Sequence, residues 1–227
     1  MIQGSKMDRL SELFSKNNSF TLLLINLIIF LLLFPLSISS VGESVIAGGF
    51  LMTNVLIVKT LNMSKRSLFL LRILAIIAFS LSLLRVRHFP ILTDLTSISA
   101  FLAYMGFNLL AIRAIASKIF SQTNVNLNII NGGICIFLIL GFFWFSIYNI
   151  LLIIDADAFR GINLDGEESF QLLYYSFTTL TTLGYGDIVP INRFAMILAN
   201  MQAIVGMMYP AIYIARLVSL YTTQEME

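Results

Sequence analysis

Residues 182–187 read TLGYGD and offer a chemistry based mainly on backbone oxygens. Gly184 and Gly186 can take positive φ without steric cost, so the sequence predicts that successive carbonyl groups turn toward one side. Around a symmetry axis, such carbonyl oxygens replace the water shell of a dehydrated cation, and the Thr182 hydroxyl adds a lower ring. The predicted ion ligands are the carbonyl groups of Thr182, Leu183, Gly184 and Tyr185.

Residues 169–181, SFQLLYYSFTTLT, are apolar enough to enter a membrane but fall well short of the ~20 residues that a crossing helix needs. The sequence therefore predicts a re-entrant half-helix that follows the acidic pair Glu167 and Glu168 and ends before Gly184. The next backbone stretch then lies unpaired at membrane depth, which is tolerated only where it lines a water- or ion-filled cavity. The half-helix directs the negative end of its dipole at that cavity.

The composition is that of an integral membrane protein. Of 227 residues, 58% are hydrophobic and 11% are charged. A net charge of +2, with basic residues scattered between apolar runs, excludes a nucleic-acid surface. Cys135 is the only cysteine and His88 the only histidine, so the chain has no Cys-rich or His-rich metal site and no Ser-His-Asp triad. An enzyme is therefore not expected.

Hydropathy predicts six spanning helices. We place them near residues 19–40, 45–61, 67–85, 96–118, 132–154 and 192–220. The polar, Asn- and Gly-rich stretch 121–133 separates two modules. The predicted domains are a cytoplasmic or interfacial segment 1–18, a four-helix domain 19–121 with a voltage-sensor-like layout, and a pore domain 122–227.

The positions of Lys and Arg predict the orientation in the cell membrane. With both termini in the cytoplasm, 10 of the 14 basic residues lie inside, which leaves Arg85, Arg87, Arg160 and Arg193 outside. The loop 155–168 is acidic and lies outside, where its field concentrates cations. A voltage sensor needs regularly spaced arginines in the fourth helix, but that helix contains only Arg113 and Lys118 near its cytoplasmic end. Strong voltage gating is therefore not expected.

The TLGYGD segment (residues 182–187) resembles the TVGYGD selectivity filter of potassium channels, and the helices around it resemble the pore module of that family. The resemblance covers roughly residues 130–220. It implies that Tyr174 and Tyr175 pack around the filter tyrosine and that Asp187 is the acid just outside the filter. By this resemblance, Leu183 occupies the position of the usual valine. Thr178 occupies a position behind the filter where some members carry a glutamate.

The sequence as a whole predicts an all-α membrane protein with six transmembrane helices, a re-entrant pore helix and a filter loop, assembled as a homotetramer that conducts K⁺. Gly186, Asp187, Tyr174, Tyr175 and Thr178 are the expected filter supports. Three positions in the last helix are gating candidates: Gly206, Pro210 and Ile214. We expect K⁺ and membrane lipid as partners, no cofactor beyond the permeant ion, and, since only YTTQEME follows the last helix, no cytosolic ligand-binding domain.

Several other functions share parts of this pattern. A poorly selective cation channel has the same architecture but a different ion cage. Tyr185 and the two glycines argue against this alternative. A non-conducting or regulatory channel-like subunit has the same sequence pattern but passes no ion current. A potassium-uptake transporter subunit needs several filter-like segments in one chain, and this sequence has one.

Overall fold

The computed structural model describes residues 19–38, 52–53, 56–57, 69, 72–73, 76–77, 80, 93–122, 124–164 and 167–224. Its helices are α1 (Ser19–Leu33, continued by a 3-10 turn Phe34–Ile38), α2 (Thr93–Phe120), α3 (Leu127–Ile154), α4 (Glu168–Leu180) and α5 (Arg193–Gln224). Two short strands, β1 (Phe159–Arg160) and β2 (Val189–Pro190), flank α4 and the TLGYGD segment.

Within the described ranges, four helical stretches are long and apolar enough to cross a membrane: Ser19–Leu36, Asp94–Phe120, Leu127–Ile154 and Arg193–Thr222. They correspond to the first, fourth, fifth and sixth predicted spans. The second and third predicted spans, 45–61 and 67–85, lie mostly outside the described residues, and the predicted interfacial segment 1–18 lies entirely outside them.

Helix α3 begins earlier than the sequence predicts. It starts at Leu127 rather than near residue 132, so most of the predicted polar linker 121–133 is helical. Asn126 caps the helix, because its side-chain oxygen accepts a hydrogen bond from the Ile129 N–H at 3.0 Å. Asn131 donates to the Thr21 hydroxyl at 2.8 Å. The connection between α2 and α3 is therefore the shorter stretch 121–126, and the polar residues at the start of α3 serve as a cap and as contacts to α1.

Helix α3 is central to the described fold and packs against α1, α2, α4 and α5. The core between α1, α2 and α3 is apolar, and its fully buried side chains include Phe20, Leu23, Leu27, Ile115 and Ile139. Asn128 accepts a hydrogen bond from the Phe20 N–H at 2.9 Å, which satisfies one of the free amides at the start of α1. The first helix is thereby fixed to the beginning of α3.

Helix α4 is a half-helix, as predicted. It runs from Glu168 to Leu180, within one residue of the predicted segment at each end. Its 13 residues extend about 20 Å, which is less than the ~30 Å thickness of a bilayer core. Its buried face packs on α3 and on the loop between α3 and α4. The cluster contains Trp144, Tyr148, Phe159, Leu172 and Leu180.

The two-stranded ribbon holds the segments before and after α4 together. β1 pairs antiparallel with β2, with Phe159 opposite Pro190 and Arg160 opposite Val189. Gly161 has a φ of +94°, and a Cβ atom there would lie 2.0 Å from the Asp187 carbonyl oxygen. Only glycine fits this close approach. The outer end of the TLGYGD segment is thus fixed to the loop that precedes α4.

Candidate functional site

The backbone of the TLGYGD segment reverses its handedness at every second residue. φ is +58° at Thr182, +51° at Gly184 and +82° at Gly186, whereas Leu183 and Tyr185 do not have positive φ. In a regular strand successive carbonyls point to opposite sides, and alternating the sign of φ removes that reversal. The positive φ predicted for the two glycines is confirmed.

Thr182 also adopts the left-handed conformation, which the sequence did not predict. A β-branched residue at positive φ is a genuine outlier and costs about 1–2 kcal/mol. Such strain persists only where the surrounding structure enforces it, and it concentrates at functional sites. Among the described residues, Thr182 is the one non-glycine residue with positive φ. The alternation of φ therefore begins at Thr182, two residues before the first glycine.

The C-terminal turn of α4 fixes the start of the TLGYGD segment. The Thr178 carbonyl accepts hydrogen bonds from the N–H groups of Leu183 and Gly184, at 2.8 and 3.2 Å. The Thr182 N–H donates to the Thr179 carbonyl at 3.0 Å. The last carbonyls of a helix have no partner within the helix, and here the following segment supplies the donors. The position of this segment is therefore set by the end of α4.

The Thr178 side chain is hydrogen-bonded within α4. It is buried, and its hydroxyl donates to the Tyr175 carbonyl at 3.0 Å. Thr178 thus acts on the segment through its backbone carbonyl. A carboxylate at this position, as some potassium channels carry, has no counterpart here.

At the outer end, Tyr174 contacts both the tyrosine and the acid of the segment. Its ring stacks on the Tyr185 ring with centroids 6.3 Å apart and an interplanar angle of 4°. Its hydroxyl donates to a carboxylate oxygen of Asp187 at 2.7 Å. Asp187 also accepts from the Ile188 N–H at 3.0 Å. The hydrogen bond from Tyr174 lowers the pKa of Asp187 below its usual value of 3.8, so this carboxylate is charged at neutral pH.

Tyr175 faces a different direction from Tyr174, because adjacent positions of a helix are about 100° apart. It is buried and makes edge-to-face contacts with Tyr148 and Phe159, at centroid distances of 5.0 and 5.2 Å. The resemblance paired Tyr174 with Tyr175 around the filter tyrosine. In the described part of one chain, only Tyr174 stacks on Tyr185, and Tyr175 belongs to the core behind α4.

The TLGYGD segment lies on the surface of the single chain. Leu183 is 55% exposed and Tyr185 is 66% exposed. A Cβ atom added at Gly184 or Gly186 would meet nothing within 4 Å. Among the residues that the structure describes, no group of three or more His, Cys, Asp or Glu side chains is placed to hold a metal.

The three gating candidates occupy different environments on α5. Gly206 is buried against the end of α4, and a Cβ there would lie 1.8 Å from the Leu180 carbonyl oxygen. Pro210 lies inside the continuous helix and has no N–H to donate to the Gly206 carbonyl. Ile214 is 59% exposed. Gly206, which the sequence predicts as a gating candidate, therefore also makes a close packing contact with α4 in the described fold.

Two tyrosines that the sequence analysis did not single out bind α5 to the beginning of α3. Tyr209 donates to the Gly133 carbonyl at 2.8 Å, and Tyr213 donates to the Ile129 carbonyl at 2.7 Å. The two rings are stacked, with centroids 5.9 Å apart. The half of α5 beyond Gly206 is therefore attached to α3 by polar as well as apolar contacts.

A buried polar network behind α4 was also missed. Tyr148 on α3, Ser176 on α4 and Gln202 on α5 are each fully buried and hydrogen-bonded to one another. The available signal was an amide in an otherwise apolar stretch of the last helix, since polar side chains inside membrane helices usually have a specific partner or a function.

Comparison with known proteins concerns the second half of the chain. A search of curated proteins and a search of solved structures return no match. Residues 132–223 match a family model described as ion channel. The matched region begins in α3 and contains α4, the TLGYGD segment and most of α5. The match supports an ion-channel function for a chain in which four described helices are long and apolar enough to cross a membrane.

Proposed function

We propose that the chain forms a homotetrameric channel that conducts K⁺ selectively and passively across the cell membrane. Four copies place the carbonyls of Thr182, Leu183, Gly184 and Tyr185 around one axis, where they replace the hydration shell of the ion. The observation that carries the proposal is the reversal of φ at every second residue from 182 to 186, directly after a half-length helix.

The exposure of the TLGYGD segment supports assembly. An exposed apolar helix face can contact lipid, but exposed backbone N–H and C=O groups at membrane depth cannot, because hydrocarbon offers them no hydrogen bonds. Such backbone must line an aqueous or ion-filled space. Since the segment lies on the surface of one chain, further copies around an axis provide the enclosure.

Charge around the segment favours cations. The described outer residues Asp155, Asp157, Glu167, Glu168 and Asp187 are acidic. They outnumber the two described basic residues on this side, Arg160 and Arg193. A mouth with a net negative charge raises the local concentration of cations. The C-terminal end of α4 adds the partial negative charge of its last carbonyls at the inner end of the segment. Both effects attract K⁺ without distinguishing it from Na⁺, so the selectivity is assigned to the carbonyl cage.

We assign gating to α5. In this proposal both termini lie in the cytoplasm. Helix α2, which corresponds to the fourth predicted span, contains no series of regularly spaced arginines. This supports a weak voltage dependence. Pro210 removes one helical hydrogen bond, and Gly206 lies one turn before it, so the 206–210 turn is where α5 bends most easily. Ile214, exposed beyond this turn, is the candidate side chain for closing the pore.

Potassium flux from liposomes tests the proposal. Purified protein is reconstituted into vesicles loaded with K⁺ and then into vesicles loaded with Na⁺, and efflux is recorded for each ion. We expect rapid K⁺ efflux and little Na⁺ efflux. Equal efflux of the two ions indicates a poorly selective cation channel, and no efflux indicates a non-conducting subunit.

Paired glycine variants control for nonspecific leakage and misfolding. Gly186→Ala places a side chain at a φ of +82° and should abolish selective K⁺ efflux through lost carbonyl geometry. Gly132→Ala adds the same methyl group to α3, where it meets the ends of the Ile119 and Phe20 side chains at 3.0 Å. This second variant should conduct K⁺ selectively.

A further inference from the structure

One side-chain amide connects three helices behind the TLGYGD segment. The Gln202 oxygen on α5 accepts a hydrogen bond from the Tyr148 hydroxyl on α3, at 2.5 Å. The Gln202 nitrogen donates to the Ser176 carbonyl on α4 at 2.8 Å and to the Ser176 hydroxyl oxygen at 3.0 Å. All three residues have side chains shielded from solvent, with Gln202 and Ser176 at 0% exposure.

The partners determine the direction of every hydrogen bond in this network. The Ser176 carbonyl can only accept, so the amide nitrogen of Gln202 must face it. The amide oxygen then faces Tyr148, whose hydroxyl must donate. The Ser176 hydroxyl proton is directed to the Gly141 carbonyl on α3, at 2.8 Å, which leaves its lone pairs for Gln202. Each member is satisfied in a single arrangement, and satisfied buried networks of this kind specify one geometry.

The network lies directly behind the residues that hold the TLGYGD segment. Ser176 precedes Thr178 by two residues, and the Thr178 carbonyl anchors the N–H groups of Leu183 and Gly184. One turn along α5 from Gln202, Gly206 approaches the Leu180 carbonyl. The 202–206 turn of α5 thus contacts the C-terminal turn of α4 at two points, one polar and one steric.

We infer that Gln202 is a filter-positioning residue: its amide fixes the depth and rotation of α4, and thereby the spacing of the carbonyls that bind K⁺. This inference rests on the proposed function. Apolar packing alone lets a helix slide or rotate by small amounts, whereas a directed hydrogen bond to a backbone carbonyl has a defined distance and angle. Loss of this hydrogen bond loosens the ion cage before it prevents assembly or conduction.

The test separates ion selectivity from protein stability. Gln202→Met keeps the length of the side chain and removes its three hydrogen bonds, while Asn131→Leu removes a side-chain hydrogen bond between α3 and α1, away from α4. For each variant, the K⁺-to-Na⁺ permeability ratio is measured on reconstituted protein and the thermal unfolding midpoint on detergent-solubilised protein. We expect both variants to unfold at a lower temperature than the wild type. Only Gln202→Met should lower the permeability ratio, by about fivefold or more, which is the equivalent of at least one of the three lost hydrogen bonds.

Other outcomes have defined meanings. A Gln202→Met channel with the wild-type permeability ratio overturns the inference. So does an equal loss of selectivity in Asn131→Leu, since that result assigns the effect to general destabilisation. If Gln202→Met does not fold, Gln202→Asn keeps an amide at this position but shortens the side chain by one methylene, which withdraws the donor from the Ser176 carbonyl. An unchanged ratio in that variant also overturns the inference. A wild-type protein that does not select K⁺ contradicts the proposed function itself, which is a separate result.

Discussion

Helix α5 crosses the end of α4 more closely at Gly206 than a larger residue allows, so Gly206→Ala is a sharp test of this contact. A Cβ atom at this position would lie 1.8 Å from the Leu180 oxygen and 2.8 Å from the Leu180 carbonyl carbon. Both are backbone atoms of a helix and cannot rotate away. Real Cβ contacts are not shorter than 3.0 Å, so the two helices must separate by at least 1.2 Å (3.0 − 1.8).

Two opposing effects determine the size of the change. Alanine inside a helix is favoured over glycine by about 0.5–1 kcal/mol, because glycine loses more backbone entropy on folding. Overpacking a close contact costs about 1–3 kcal/mol. The steric cost is larger, and we expect a net destabilisation of about 1–2 kcal/mol. Since Leu180 lies two residues before Thr182, the displacement should also lower the K⁺-to-Na⁺ permeability ratio.

The assay uses the fluorescence of Trp144, the only tryptophan of the chain, to follow thermal unfolding in detergent. Gly132→Ala is the control, because the added methyl there meets movable side-chain ends rather than backbone. It should change the unfolding midpoint less than Gly206→Ala does. A Gly206→Ala protein that is as stable as the wild type, or more stable, refutes the packing argument. A changed open probability with unchanged stability and selectivity supports a hinge role alone.

Three further predictions concern the segment and the helices that hold it. The hydrogen bond from Tyr174 lowers the pKa of Asp187, so protonation of this carboxylate and loss of the bond have their midpoint below the usual value of 3.8. In an outside acid titration of K⁺ conductance, Tyr174→Phe should therefore move the decline that is due to Asp187 to higher pH than in the wild type. Replacing both Tyr209 and Tyr213 with Phe removes two bonds between α5 and α3 and should change the open probability in single-channel recordings without changing the reversal potential. Gly184→Ala places a side chain at a φ of +51° and should abolish K⁺ selectivity, measured as a reversal potential near zero with K⁺ and Na⁺ on opposite sides.

The sequence was sufficient to predict α4 and the two left-handed glycines. A 13-residue apolar helix followed by TLGYGD has few alternatives, because its length excludes a crossing and glycine tolerates positive φ. The strain at Thr182 was not predictable in this way. A β-branched residue disfavours that conformation locally, and it is the capping of the Thr178 carbonyl by the next two amides that enforces it.

Long-range contacts account for the rest of what the sequence did not predict. Gln202 bonds to residues 54 and 26 positions earlier in the chain, and no local pattern indicates those partners. The contacts of Asn128 and Asn131 were not predictable because their partners are in α1, which is more than 100 residues away. Tyr174 and Tyr175 are adjacent helical positions that face different directions, so within one chain only Tyr174 stacks on Tyr185.

The most direct test of the central claim is the reversal potential of the reconstituted wild-type protein, with K⁺ alone on one side of the bilayer and Na⁺ alone on the other. A backbone cage that fits dehydrated K⁺ predicts a large reversal potential, with the K⁺-containing side negative, because that voltage opposes the flow of K⁺ out of this side. A reversal potential near zero, with current clearly present, would contradict the assignment of the TLGYGD segment as a potassium-selective filter.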